Sequence, residues 1–568
     1  MHIHIVPNHG STPTVLLRES YREGTKVGKR TLANLSALSP SQIEAIRAVL
    51  RGEELRPVAQ HFEITASRAH GHVQAVAATM QRLGFASLIG AKPSRERDLV
   101  LAMVASRIIE PQTKLATTRQ WHTTTLAEDF GVTEANEDNL YAAMDWLLAR
   151  QDTIQKKLAA RHLNAGGLVL YDLSSSYFEG STCPLARRGY SRDGKPGTLQ
   201  VNYGLLTDAR GCPVAMSVFE GNTTDSKTFM PAVQRVREDF GLEQVVMVGD
   251  RGMVSQKAID ELRASDGMGW ITALKSSSIR ALVEQGQLQL GLFDERNLVE
   301  LSSPEYPGER LVACRNGALA KLRAHKREEL LAATEANLVE IKARVDAGKL
   351  SGQDKIGVRI GKIINKYKVA KHFELSIGDA SLAWVRRQDH IDAEAALDGL
   401  YIIRTSVSAA QMDAPHCVRN YKSLANVERA FRSIKTIDLK VRPIHHRLAE
   451  RVRSHIFLCM LAYYVEWHML EAWRELMFAD TEQAIKATRD PVAPAKRSAS
   501  AQVKAASHTL VDGSPVHSFV TLMAELATIV RNTCRAPHAG PDAPTFEVLT
   551  TPGPTHQRAF ALIQQIQL

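Results

Sequence analysis

Three acids in this 568-residue chain stand where their carboxylates can share one chemical task. Asp172 closes the apolar run of "GGLVLYDLSSSYF", Asp250 closes "EQVVMVGD", and Glu428 lies within "YKSLANVERAFRSIKTIDLKVRPIHH". Short apolar runs of this kind read as buried strands, so the first two acids fall at strand carboxyl ends, where α/β sheets bind their ligands. Glu428 reads as helical. At about 100° per residue, Tyr421, Leu424, Glu428, Arg432 and Lys435 share one stripe, and Val427, Phe431 and Ile434 form an adjoining apolar stripe that can dock on a sheet. By itself Glu428 reads as well as a surface acid paired with Arg432, worth roughly a few tenths of a kcal/mol. As a set, three carboxylates suit hard cations. Two such ions about 4 Å apart clamp the attacking and leaving oxygens of an in-line phosphoryl displacement. The expected cofactor is therefore Mg²⁺, with Mn²⁺ as the alternative, at two ions per site and with Asp172, Asp250 and Glu428 as ligands.

The surroundings of Glu428 are cationic. Eight Lys/Arg and three acids lie between Val427 and His455, and the whole chain carries a net charge of +10. Both favour a polyanionic partner, most simply nucleic acid. Six scattered cysteines without a C-x-x-C pair give no zinc ribbon and no disulfide framework. His445, His446 and His455 do not have a zinc-site spacing and read as phosphate or packing contacts. The start "MHIHIVPNHG" lacks a signal-peptide layout, and the apolar stretch "HIFLCMLAYYVEW" is too short to span a bilayer. A cytoplasmic, nucleoid-associated protein with no membrane partner is expected.

The elements that must position these acids follow from periodicity. "TVLLRESYREGTKVGKRTLANL" reads as two strands turning near Gly24, and Ser39-Pro40-Ser41-Gln42 as a capping box. "VAQHFEITASRAHGHVQAV" fits a helix-turn-helix or, from the alternation of Phe62, Ile64 and Ala66, a strand; the alternation favours the strand. From Gly166 the order is β-β-β-α-β-α-β. A charged helical stretch and the basic "KIGVRIGKIINKYKVAK" then interrupt it before "GLYIIRTS" resumes as a core strand. "DPVAPAKRSASAQVKAASH" has a linker composition. Asp208 reads as a turn residue, Asp193 as part of a turn-like loop in "SRDGKPG", and Asp225 as a support for the site.

"LYDLSSSYFEG", "VGDRGM" and Y-x2-L-x3-E-x6-K together resemble the DDE transposases of bacterial insertion sequences, in the insertion-sequence-four superfamily. "GNTTDSKTF" and "RPIHHRLAERVRSHIFLCMLAYY" add to the likeness, which runs from about Gly166 to Trp467. The resemblance implies an α/β, multidomain chain whose RNase H-like mixed sheet is flanked by helices. A long α+β insertion would precede the third acid, and the N-terminal region would be mainly helical. The expected domains are residues 1–165, a β-hairpin plus helical DNA-binding region; 166–275 with 397–478, the catalytic core; 276–396, the insertion; and 479–568, a linker and helical tail. It also implies that Asp172, Asp250 and Glu428 are the catalytic acids. Tyr421 and Lys435 match residues that contact DNA near the cleaved end. Leu424 replaces the signature's arginine, and Arg432 is a substitute on the same stripe. Arg442 and His446 are further DNA contacts, and Trp384 is either a base-stacking residue of the insertion or a structural Trp. The implied activity is Mg-dependent cleavage and strand transfer at inverted-repeat ends, by a homodimer on double-stranded DNA. A nuclease without strand transfer and an inactive DNA-binding derivative are the alternatives.

Overall fold

In the computed structural model, which describes residues 1–53, 62–289, 293, 297–537 and 539–568, the apolar runs become the middle of one sheet. Its first three strands, β1 (Leu168–Tyr177), β2 (Leu199–Thr207) and β3 (Pro213–Glu220), are antiparallel neighbours. Helix α1 (Asp225–Gln234) returns the chain to β4 (Val245–Val248), and α2 (Gln256–Arg263) returns it to β5 (Met268–Ala273). β4 lies parallel to β1, and β5 parallel to β4. The spatial order β3-β2-β1-β4-β5, three antiparallel strands followed by two parallel ones, is that of an RNase H-like core. The mixed α/β, multidomain reading therefore holds.

The sheet continues beyond that core. β6 (Leu298–Leu301), β7 (Arg310–Arg315) and β8 (Leu400–Thr405) add antiparallel strands in the order β6-β7-β8-β5. Two strands from the expected 276–396 insertion thus belong to the main sheet. What stands apart is the helix Gly317–Asp346, the helix Gln353–Gly361 and the hairpin Phe373–Ile377 with Leu382–Arg386. These have their own apolar cluster, including Leu331, Leu338, Ile356 and Leu382. Arg386 fastens the hairpin to the long helix through Glu335 at 2.7 Å and Glu328 at 2.8 Å.

Past β8, the chain forms α3 (Ala414–Lys422) and α4 (Leu424–Arg432), a π-helical turn Ser433–Ile437, and α5 (Ala449–Ala472). α5 is buried on every side from Ile456 to Val465, as a helix apolar all round must be. It packs on β3 and on the helices Arg95–Ile109 and Glu137–Leu148. Among the described residues, no helix is long and apolar enough to cross a membrane.

Two compact units result. The larger spans Ala69–Ile529 and Pro552–Leu568; the smaller spans Met1–Arg68 and Val530–Thr551. Helices from Gly71 to His162, expected beside the N-terminal hairpin, are therefore part of the larger unit, where Val73, Val76 and Met80 enter the common core. The smaller unit contains an antiparallel sheet of His2–Asn8, Ser11–Glu23 and Lys26–Asn34, one strand more than the sequence suggests. The Ser39/Gln42 capping box is present on the helix Pro40–Leu50. A second sheet joins Glu63–Ala69 to Val530–Arg535 and Thr545–Leu549. The alternation of Phe62, Ile64 and Ala66 thus marks a strand; Val58–His61, the start of the helix-turn-helix alternative, lie outside the described residues. The stretch read as a linker contains a helix, Ala499–Ser507.

Candidate active site

Strand register brings the first two acids together. In the parallel pairing of β1 with β4, Leu168, Val169 and Leu170 lie opposite Val246, Met247 and Val248. Two residues further along each chain stand Asp172 and Asp250, so both leave the paired region at the same level, on neighbours roughly 4.8 Å apart. β4 ends at Val248 while β1 runs on to Tyr177.

The third acid is delivered by packing. Side chains alternate along β1, so Asp172, Ser174 and Ser176 share one face and Tyr171 takes the other, against Phe229 of α1. α4 packs over the Asp172 face: Phe431 lies edge-on to Tyr203, whose hydroxyl is 2.7 Å from Ser176 Oγ. Val427, Ala430 and Phe431 are buried, and Glu428, on the neighbouring stripe, is exposed. The start of α4 is set by the β2–β3 turn. Asn426 donates to the Ala209 carbonyl at 3.2 Å, and Gly211, at φ +92°, leaves the space in which a Cβ would sit 2.7 Å from Asn426 Cβ.

The acids are electrostatically coupled. Burial pushes the Asp172 carboxyl up to about 7, and the charges of Asp250 and Glu428 push the same way. The Leu173 N–H, which donates to Asp172 Oδ1 at 2.8 Å, and the charge of Arg192 oppose the rise. The Tyr421 hydroxyl donates to Asp250 Oδ1 at 3.3 Å, and its phenol is pushed up by burial and then by Asp250. Among the described residues, no Lys or Arg forms an ion pair with Asp172, Asp250 or Glu428. Their oxygens do not lie within the 4.8 Å mutual range of a ready-formed three-donor cluster.

Sequence reasoning missed the group beside them. Asp193, in the loop from β1 to β2, is almost fully buried, at 1% side-chain exposure, and pairs with Lys435 at 2.5 Å and with Arg442. It also accepts the Tyr177 N–H at 2.9 Å. Lys435 Nζ reaches Ser174 Oγ at 3.2 Å, two residues from Asp172. Lys435 is therefore turned inward instead of lying on the outer stripe with Glu428. The helix breaks at Ser423, and a π turn advances the chain less per residue than an α-helix, so the 100° projection fails there. The preceding residue, Arg192, pairs with Asp225, and its N–H donates to Ser175 Oγ at 3.1 Å. The only signal for this clamp was the excess of cations in the Glu428 region, which a buried acid must match.

The other expected contacts are spread out. Arg432 is exposed, one turn beyond Glu428, and Leu424 packs at the edge of the core. His446 is half-buried, its ring 5.0 Å from that of His455 and 6.1 Å from that of Tyr141. Burial and the charges of Lys114 and Arg107 push its imidazole down to about 3, so it is neutral at pH 7. Trp384 sits on the insertion hairpin opposite Leu375 and packs, half-buried, against the insertion's own core.

Residues 169–465 match the family model described as the transposase DDE domain, and residues 3–60 match the N-terminal domain model of IS1634 family transposases. Among solved structures, a piggyBac transposase synaptic complex with hairpin DNA is similar at 8% identity and a TM-score of 0.33, over 80% of this chain and 77% of that one. No curated protein matches the chain at a significant level.

Proposed function

The chain belongs to the transposase DDE-domain family, and from that premise we propose that it cuts and joins DNA strands at the inverted-repeat ends of an insertion sequence. The observation that carries this reading is the matched register of Asp172 and Asp250 under a helix that presents Glu428. All three carboxylates are free of cationic partners among the described residues.

The donor set fits Mg²⁺ or Mn²⁺. Three carboxylates whose charges destabilise one another gain most from hard divalent cations, which favour oxygen ligands. Asp172, Asp250 and Glu428 would hold two such ions, and when bound these supply Lewis-acid stabilisation of the attacking and leaving oxygens in an in-line phosphoryl transfer. The remaining work belongs to the side chains around them. Tyr421 fixes the Asp250 carboxylate through its hydroxyl. Arg192, tied to Asp225, tempers the charge at Asp172. Asp193 holds Lys435 and Arg442 against the strand that carries Asp172, and so sets the position of the π turn following α4. Arg432 is free to meet a phosphate one turn from Glu428. DNA is the partner, and two copies of the chain bridge the two ends of the element.

The test is a strand-transfer assay with pre-cleaved inverted-repeat ends and target DNA in Mg²⁺ or Mn²⁺. Joined products that disappear on chelation are the expected result. Hydrolysis that never yields a joined product would replace this reading with that of a nuclease.

A further inference from the structure

Among the described residues, one trio does bring its donor atoms within 4.8 Å of one another: His162, Cys212 and His468. We propose that these three side chains bind a thiophilic divalent cation of the Zn²⁺ class, at a site separate from the acids. They come from three elements that meet on the α5 side of the sheet. His162 ends the helix Gln151–His162, Cys212 lies in the β2–β3 turn, and His468 is on α5. His162 and His468 line a cleft of roughly 360 Å³ together with Trp467 and Glu471, and Cys212 is fully buried against them.

One edge of the trio has nearly the length that a zinc site requires. Cys212 Sγ lies 3.9 Å from His468 Nε2. Zn–S near 2.3 Å and Zn–N near 2.0 Å imply a tetrahedral sulfur–nitrogen edge of about 3.5 Å, so this edge needs a contraction of only a few tenths of an ångström, and the donor atom of His162 lies within 4.8 Å of both. The ligands are also held from behind. Asp208 Oδ1 accepts the N–H groups of Arg210 and Cys212, each at 2.9 Å, and this fixes the turn that carries the thiol. Tyr464 Oη lies 3.0 Å from His162 Nε2, and Trp467 packs edge-on to His468. Two arginines line the same cleft, but Arg210 pairs with Asp208 at 2.9 Å and Arg161 donates to the Leu83 carbonyl at 2.9 Å. Two imidazoles and a thiolate select a softer ion than three carboxylates do. As the metal–sulfur bond forms, the Cys212 thiol gives up its proton, which passes to solvent.

The test uses the full-length protein, stripped with chelator and returned to excess Mg²⁺ so that hard-donor sites are filled. Co²⁺ is then titrated in. The expected result is a cobalt–thiolate charge-transfer band that saturates at about one ion per chain and is displaced by Zn²⁺. Cys212→Ser should abolish the band, and His468→Gln should weaken Co²⁺ binding about tenfold or more. No band in the unaltered protein, or a band that survives Cys212→Ser, overturns the proposal.

Discussion

Asp172, on β1, and Asp193, in the loop that follows it, are carboxylates with opposite treatment. Asp193 is buried between Lys435 and Arg442 and accepts a backbone N–H. Asp172, two residues from the serine that Lys435 touches, has no ion-pair partner among the described residues and feels the negative charges of Asp250 and Glu428, opposed by that of Arg192. A buried acid that serves architecture is neutralised by the protein itself, since an unpaired charge in a low dielectric is costly. An acid left unpaired beside two others stores that cost for a ligand to relieve. The charge around Glu428 is therefore divided. Part of it is consumed internally by Asp193, and part, at Arg432, stays exposed.

The sharpest way to break this contrast is to remove charge at the acids. Asp172→Asn, Asp250→Asn and Glu428→Gln should each lower strand cleavage by on the order of 10²–10³-fold or more while DNA binding, read by gel shift, persists. In the absence of divalent ions Asp172→Asn should also change the pH dependence of stability. The folded-state value of Asp172 is raised from 3.8 to about 7, so the folded chain holds the proton more tightly than the unfolded chain. Its contribution to stability is complete below about pH 4 and is lost as pH rises through about 7. Urea unfolding of the metal-free protein should show that loss, and the Asn variant should lack it.

Asp193→Ala should behave in the opposite way. Removing the acid strands two cations, and the expected cost is about 3–5 kcal/mol in urea unfolding at pH 7, with little dependence on added Mg²⁺. A variant as stable as the parent would show that Asp193 does not hold this part of the fold. The smallest effect belongs to Arg432→Ala. Stability should stay within about 0.5 kcal/mol, and the slope of log affinity against log salt should fall by about 0.9 if a single phosphate contact is lost.

The sequence exposes those parts of the site that local pattern determines. Two short apolar runs each end in an acid, and the apolar stripe of Val427, Phe431 and Ile434 turns α4 onto the sheet. Lys435 falls off the stripe of Glu428 because a constant helical angle cannot anticipate the π turn after Arg432. Asp193 was hidden because "SRDGKPG" has the composition of a solvated turn, and only partners some 240–250 residues away make it a buried anchor. The pairing of Val530–Arg535 with Glu63–Ala69 was equally invisible. A strand carries no local mark of a partner more than 450 residues distant. Likewise, β6 and β7 read as part of the insertion, because nothing in their sequence tells a sheet's outer strands from those of a separate domain.

That long-range pairing has a consequence for synthesis. Glu63–Ala69 emerges from the ribosome early, but the strand that covers its edge follows about 460 residues later, or roughly 25–90 s at ordinary elongation rates. Over that interval its backbone donors and acceptors stand open to other chains, while the larger unit has nearly all of its sequence in place before the gap closes. The smaller unit, which matches an insertion-sequence N-terminal domain over residues 3–60, is thus completed among the last parts of the molecule although it begins first. A message cut short before Val530 would leave that edge permanently uncovered.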